Sequence, residues 1–232
     1  MILKVNKLEN LFLFALKASF FLPLLIVVRI FWQQKTLNSI ALAVSAHSLL
    51  FGLINIFHSS LLSEFGSHAY WIIYTALEFY SFSVIIFLSQ KKQIKLATTC
   101  TILFTINTII QLLNTNSSKA DSLNIGIESI LISLNVIYFF YLRFKQVDEQ
   151  YLYQNPHFWL MTSMLVYLGF TYFFNILVNH VDNEVIKNYY HYSYIGDIIK
   201  NVLFAVALLQ IPRRTTAEGH TRSFNAPNLD LI

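Results

Sequence analysis

Apolar residues come in runs of about 20, separated by short polar interruptions, and the pattern recurs along the whole chain. An apolar run of that length reads as a membrane-crossing helix. The runs predict seven spans: Leu11–Trp32, Asn38–Leu62, Ala69–Ser89, Ile94–Asn114, Leu123–Arg143, His157–Val178 and His191–Ile211. The expected fold class is all-α, an integral membrane bundle of seven transmembrane helices filling residues 1–211. The polar tail, residues 212–232, is short and expected to be disordered and cytoplasmic. Lys4 and Lys7 precede the first run as they would in a signal peptide. No small-x-small cleavage pattern follows, so this run is expected to be a retained span.

The polar residues inside the spans repeat as regularly as the apolar ones. Spans two to seven form three hairpins. Asn55 is followed by Glu78 after 23 residues, Asn107 by Glu128 after 21, and Asn175 by Asp197 after 22. Each pair is nearly symmetric about its turn, which sets both members at similar depth, roughly 10 Å inside the boundary at 1.5 Å per residue. Lys17 falls at the same depth on span one, and Lys200 lies one helical turn beyond Asp197. Further polar residues extend the layer at helical spacing, among them Ser48 and His58, Thr75 and Ser81, Gln111, Asn124 and Asn135, and Asn201. Gly52, Gly126, Gly169 and Gly196 lie close to it and would allow close helix approach or leave room for a ligand. Asn, Gln and Ser in such places serve as interhelical glue, worth about 0.6 kcal/mol each. Charges differ, because each costs on the order of 3 kcal/mol at membrane depth, so opposite signs must meet or protons must move.

Composition and charge set limits on partners. The chain is 56% hydrophobic and only 12% charged, about half the charge of a soluble domain. The net charge of +4 does not imply a nucleic-acid partner, because the basic residues gather at helix ends. Arg29, Lys35, Lys91, Lys92, Lys95, Arg143, Lys145, Arg213, Arg214 and Arg222 fall on one side, and only Lys4, Lys7, Lys119 and Lys187 on the other. That asymmetry predicts the N-terminus outside and the C-terminus inside. Tyr70, Trp71 and the tyrosines from 189 to 194 are expected to form an outer interfacial belt, with Tyr138, Tyr141, Tyr153 and Trp159 on the inner one. Cys100 is the single cysteine, which excludes an intramolecular disulfide and a thiolate metal cluster.

Several chemistries fit parts of this layer. No metal site is expected; if one exists, its ligands would be His58, His180 and His191, although no HxxxH or HExxH pair fixes two of them on one helix. Lys200 near the centre of span seven suits a retinal imine. Asp197, however, stands three residues before it rather than four, and the aspartate-rich third helix of microbial rhodopsins is missing. A proton-coupled transporter would use Glu78, but the hairpins repeat in one orientation and no inverted repeat is visible. A lipid-modifying hydrolase would need a serine beside a base, and the sequence places none there.

Three stretches carry a resemblance: Tyr74-Thr75-Ala76-Leu77-Glu78-Phe79, Asn155-Pro156-His157-Phe158-Trp159 with Tyr167, and Ile199-Lys200-Asn201-Val202-Leu203-Phe204-Ala205. Together they resemble a broad family of seven-helix membrane proteins of Bacteroidota type, similar to the membrane sensor modules that precede histidine-kinase domains. The resemblance implies no known catalytic residue and leaves the cofactors unknown, and the expectation is that a partner rather than an attached kinase would supply the output. The expected function is a sensor or receptor-like module of a bacterial inner membrane, embedded in the lipid bilayer. It would bind a small molecule or lipid among Asn55, Glu78, Asn107, Glu128, Asn175, Asp197 and Lys200, and signal to a cytoplasmic partner. The alternatives are the lipid-modifying enzyme and the small transporter.

Overall fold

An asparagine followed by a proline opens one of the longest helices. Pro156 stands where a missing N–H costs nothing, and the Asn155 side chain accepts from the His157 amide at 2.9 Å. The computed structural model describes residues 2–34, 37–90, 94–113, 120–145, 152–180 and 190–211. They form α1 (Ile2–Gln34), α2 (Ser39–Ile56), α3 (His58–Phe65), α4 (Ser67–Ser89), α5 (Ile94–Leu113), α6 (Ala120–Lys145), α7 (Pro156–His180) and α8 (Tyr194–Leu209). Short 3-10 turns, Leu152–Gln154 and Tyr190–Ser193, precede α7 and α8. No strand occurs among the described residues. Residues 212–232 lie outside them.

Five stretches, Asn10–Gln33, Ser39–Ile56, His68–Ser89, Ile94–Leu113 and Leu123–Lys145, are long and apolar enough to cross a membrane, which marks an integral membrane protein. The continuous second span expected from Asn38 to Leu62 is interrupted. Phe57 leaves helical geometry at φ −95° and ψ 13°, and the eight residues of α3 fold back against α4. Gly66 then turns the chain into α4 with φ 72°, a conformation in which a side chain would be strained.

Six helices close a ring in the order α1, α2, α4, α6, α7, α8, with α8 packed extensively on both α1 and α7. α5 lies outside this ring, against α4 and α6, because α4 and α6 pack directly on each other. Its Phe104 ring stacks on Phe79 of α4 at a centroid distance of 3.9 Å. The core beneath contains Phe79, Phe82, Met164 and Phe204, all fully buried. A smaller cluster of Leu16, Phe20 and Phe51 joins α1 to α2. Phe14, Leu25, Ile110 and Leu113 point outward, an arrangement suited to lipid rather than water.

The glycines near the polar layer divide by role. A Cβ at Gly126 or Gly169 would meet nothing, and at Gly52 only ordinary contact. At Gly196 it would stand 3.0 Å from the Phe170 Cβ, an atom tied to the α7 backbone. Gly196 thus sets how closely α8 approaches α7. Gly196→Ala is expected to destabilise the bundle by about 1–3 kcal/mol through overpacking, while Gly126→Ala stays near neutral. Thermal melts of both variants in detergent check this, and equal midpoints would refute it.

Candidate functional site

Lys200 on α8 has no accessible surface, yet its Nζ meets two carboxylates. It donates to Asp197 Oδ1 at 2.8 Å, one turn earlier on the same helix, and to Glu78 Oε1 of α4 at 3.2 Å. The Tyr167 hydroxyl of α7 donates to the other Glu78 oxygen at 2.9 Å. The Tyr167 ring lies 3.8 Å from Nζ, and Phe82 and Phe51 stand farther off at 5.5 and 5.9 Å. An ammonium removed from water is stable only with such partners, and the negative faces of the rings add to the attraction. One lysine therefore ties α4, α7 and α8 together.

Above this cluster, at the end of the bundle where α8 begins, a cavity of about 520 Å³ opens between the six ring helices and α3. That volume suits a small organic ligand. Glu78 and Asp197 border it, so the ion cluster forms its floor. Asp197 retains 18% side-chain exposure. Glu128 of α6 also borders the cavity, is 2% exposed, and leaves Oε1 without a hydrogen-bond partner. Asn55 lines the wall, its amide donating to the Phe51 carbonyl at 2.9 Å. Lys17 borders the cavity from α1 while remaining exposed.

The remaining expected site residues fall elsewhere. Asn107, on the excluded helix α5, donates to Asn124 of α6 at 2.8 Å and accepts from Gln111 at 3.2 Å. That polar cluster joins α5 to α6, and Asn107 does not border the cavity. The side chain of Asn175 lies outside the described residues, as do those of His180 and His191. His58 lines the cavity and shares a 2.8 Å hydrogen bond with the Tyr70 hydroxyl. Among the described residues no three His, Cys, Asp or Glu side chains gather as a metal set.

Two features escape a reading of the sequence. Tyr70 and Trp71, expected in an interfacial belt, instead line the cavity with Tyr74, and Tyr70 is only 5% exposed. A serine does stand beside a histidine: His47 Nδ1 and Ser81 Oγ are 2.7 Å apart. Ser81 Oγ also lies 2.8 Å from the Glu78 carbonyl, which accepts from its hydroxyl. Neither side chain borders the cavity, and the imidazole is packed against Phe51 and Phe82. The pair braces α2 against α4 rather than activating a nucleophile. Both features depend on helix rotation and on pairing between distant helices, which spacing along one helix does not encode.

No protein-family model, curated protein or solved structure matches the chain.

Removing one partner from a buried ion cluster leaves an uncompensated charge, at a cost of about 3–5 kcal/mol. Lys200→Met is therefore expected to lower stability by about 3 kcal/mol. Adding Glu78→Gln and Asp197→Asn should restore most of it. Chemical unfolding in mixed micelles reads both steps, and an additive loss across the three substitutions would contradict the coupling.

Proposed function

We propose that the chain is a sensor or receptor-like module of a bacterial inner membrane. It would have seven spans, the N-terminus outside and the C-terminus in the cytoplasm. A small ligand would enter the cavity from the outer side, and a soluble partner would receive the signal. The observation that carries this reading is the position of Lys200 directly beneath the cavity, bonded to two carboxylates that border it. A ligand that engages Asp197 or Glu78 competes with Lys200 for them. It thereby acts on the junction of α4, α7 and α8 without any relay. A ligand shifts a conformational equilibrium only through contacts that differ between the two states, and a shared carboxylate supplies such a difference. Asn55 and Glu128 add an amide and a further acid to the same wall.

The opposite end of the bundle supports the direction of signalling. Arg29, Lys95, Arg143 and Lys145 lie at the helix ends away from the cavity, where the excess of basic residues favours the cytoplasm. A soluble partner would dock there. The resemblance to kinase-associated membrane sensors points the same way. The lipid-modifying enzyme lacks support at the cavity, because the His47–Ser81 pair stands apart from it.

Two measurements test this reading. In a Cys100→Ala background, Ser59→Cys at the cavity should react with an impermeant maleimide in intact cells, and Lys95→Cys only after permeabilisation. The reverse pattern would sink the proposed orientation. Asn55→Trp, which fills the cavity, should deplete a co-purifying small molecule at least tenfold by mass spectrometry of organic extracts. Equal recovery from both preparations, or none from either, would count against an occupied cavity.

A further inference from the structure

One buried ammonium, that of Lys200, faces three carboxyl groups around the cavity, and Glu128 is the one that does not bond to it. Lys200 is engaged by Glu78 and Asp197, leaving Glu128 as the third acid of the cavity. Among the described residues Glu128 has no ion-pair partner, is 2% exposed, and leaves one carboxyl oxygen without a hydrogen bond. A buried carboxyl group without a partner costs free energy, and a cationic group seated in the cavity that Glu128 borders would offset that cost. Lys17 does not supply it, since its side chain is turned to the exposed surface at the mouth and makes no ion pair with Glu128.

The wall specifies the chemistry further. Tyr70, Trp71 and Tyr74 of α4, Tyr167 and Phe174 of α7, and Tyr194 of α8 all border the cavity. The Trp71 ring meets Tyr70 at 5.1 Å and Tyr74 at 5.8 Å, both edge-to-face. Rings set at different angles around one space form the kind of cage that holds quaternary and substituted ammonium groups. The same molecule already shows this preference, because Tyr167 holds the Lys200 ammonium 3.8 Å from its ring centre.

We propose that the cavity binds an organic ammonium group, with Glu128 as its counter-ion and the aromatic wall as its cage. This rests on the ligand-binding reading above and names its ligand class. A free amine and the amine headgroup of a lipid both carry this group, and the chemistry that recognises them is the same.

Trp71 provides the readout. In full-length protein carrying Trp32→Phe and Trp159→Phe, Trp71 is the remaining tryptophan, and its fluorescence reports on the cavity. The probes are 2-phenylethylammonium, neutral 2-phenylethanol and anionic phenylacetate, which share a ring and chain. In nanodiscs of phosphatidylglycerol alone, the ammonium should give a saturable change at least tenfold tighter than the alcohol, with phenylacetate weakest. Glu128→Gln should abolish the tenfold preference while leaving weak binding of the ring, and Glu128→Asp should keep part of it. Adding phosphatidylethanolamine to the nanodiscs separates the sources. A headgroup ligand shifts the Trp71 signal beforehand and raises the apparent Kd of the free ammonium, whereas a free amine ligand leaves both unchanged. Equal or tighter binding of the alcohol or the acid would overturn the ammonium class while leaving a ligand cavity in place. No change with any probe would overturn the proposal itself. The ranking of the three probes needs no Glu128 variant, so a folding defect in one cannot mask the result.

Discussion

One ammonium group holds this bundle together at its polar level. Lys200 is inaccessible to solvent and shared between Glu78 and Asp197, with Tyr167 binding the far side of the same carboxylate. Neither acid nor base is tolerable alone when buried in this way. The three helices that carry them are therefore fixed in rotation as well as in distance. Around the cluster, Asn201 donates to Ser19 at 2.8 Å and ties α8 to α1, while His47 and Ser81 tie α2 to α4. The polar bonds form a belt around the ring, and the apolar core below it holds the helices that the belt orients.

The cavity follows from that arrangement. Direct packing of α4 on α6 excludes α5 from the ring, and this places Glu128 of α6 opposite the cluster instead of behind another helix. The break at Phe57 contributes as well. It ends α2 early and lets α3 fold onto α4, which brings His58 within 2.8 Å of the Tyr70 hydroxyl. A continuous helix through Phe57 would carry His58 onward along α2. The opening therefore depends on one interruption in the regular pattern of spans, at a position with no proline or glycine to announce it.

How much of this was legible depends on which coordinate a residue pattern encodes. Depth is encoded well, because residues equidistant from a turn lie at similar heights. The spacing of Asn55 with Glu78, and of Asn175 with Asp197, placed the two acids at one level, and the structure sets them on one lysine. Rotation about the bundle axis is not encoded by spacing. Asn107 satisfies the same depth rule as the others but belongs to the helix outside the ring, and its amide bonds to Asn124. Tyr70 and Trp71 sit at the height of an interfacial belt yet face inward, because α3 and α4 form the wall of the opening. The helical class and the five strongly apolar helices follow directly from the apolar runs. The identity of each helix's neighbours required three dimensions.

The geometry separates two roles that a list of buried charges would merge. Glu78 and Asp197 answer to Lys200, and their first effect is to hold α4 and α8 in register. Glu128 has no such duty, since among the described residues its Oε1 has no hydrogen-bond partner and no ion pair includes it. A residue kept for packing alone would be better served by leucine, which would bury no unpaired carboxyl group. Glu128 borders the cavity without a bond to Lys200, so what enters the cavity meets its carboxyl group without displacing the lysine. Asp197 and Glu78 border the same cavity, and a cation that bonds to either would weaken its hold on Lys200. Binding in the cavity and packing of the helices would then share a single charge balance.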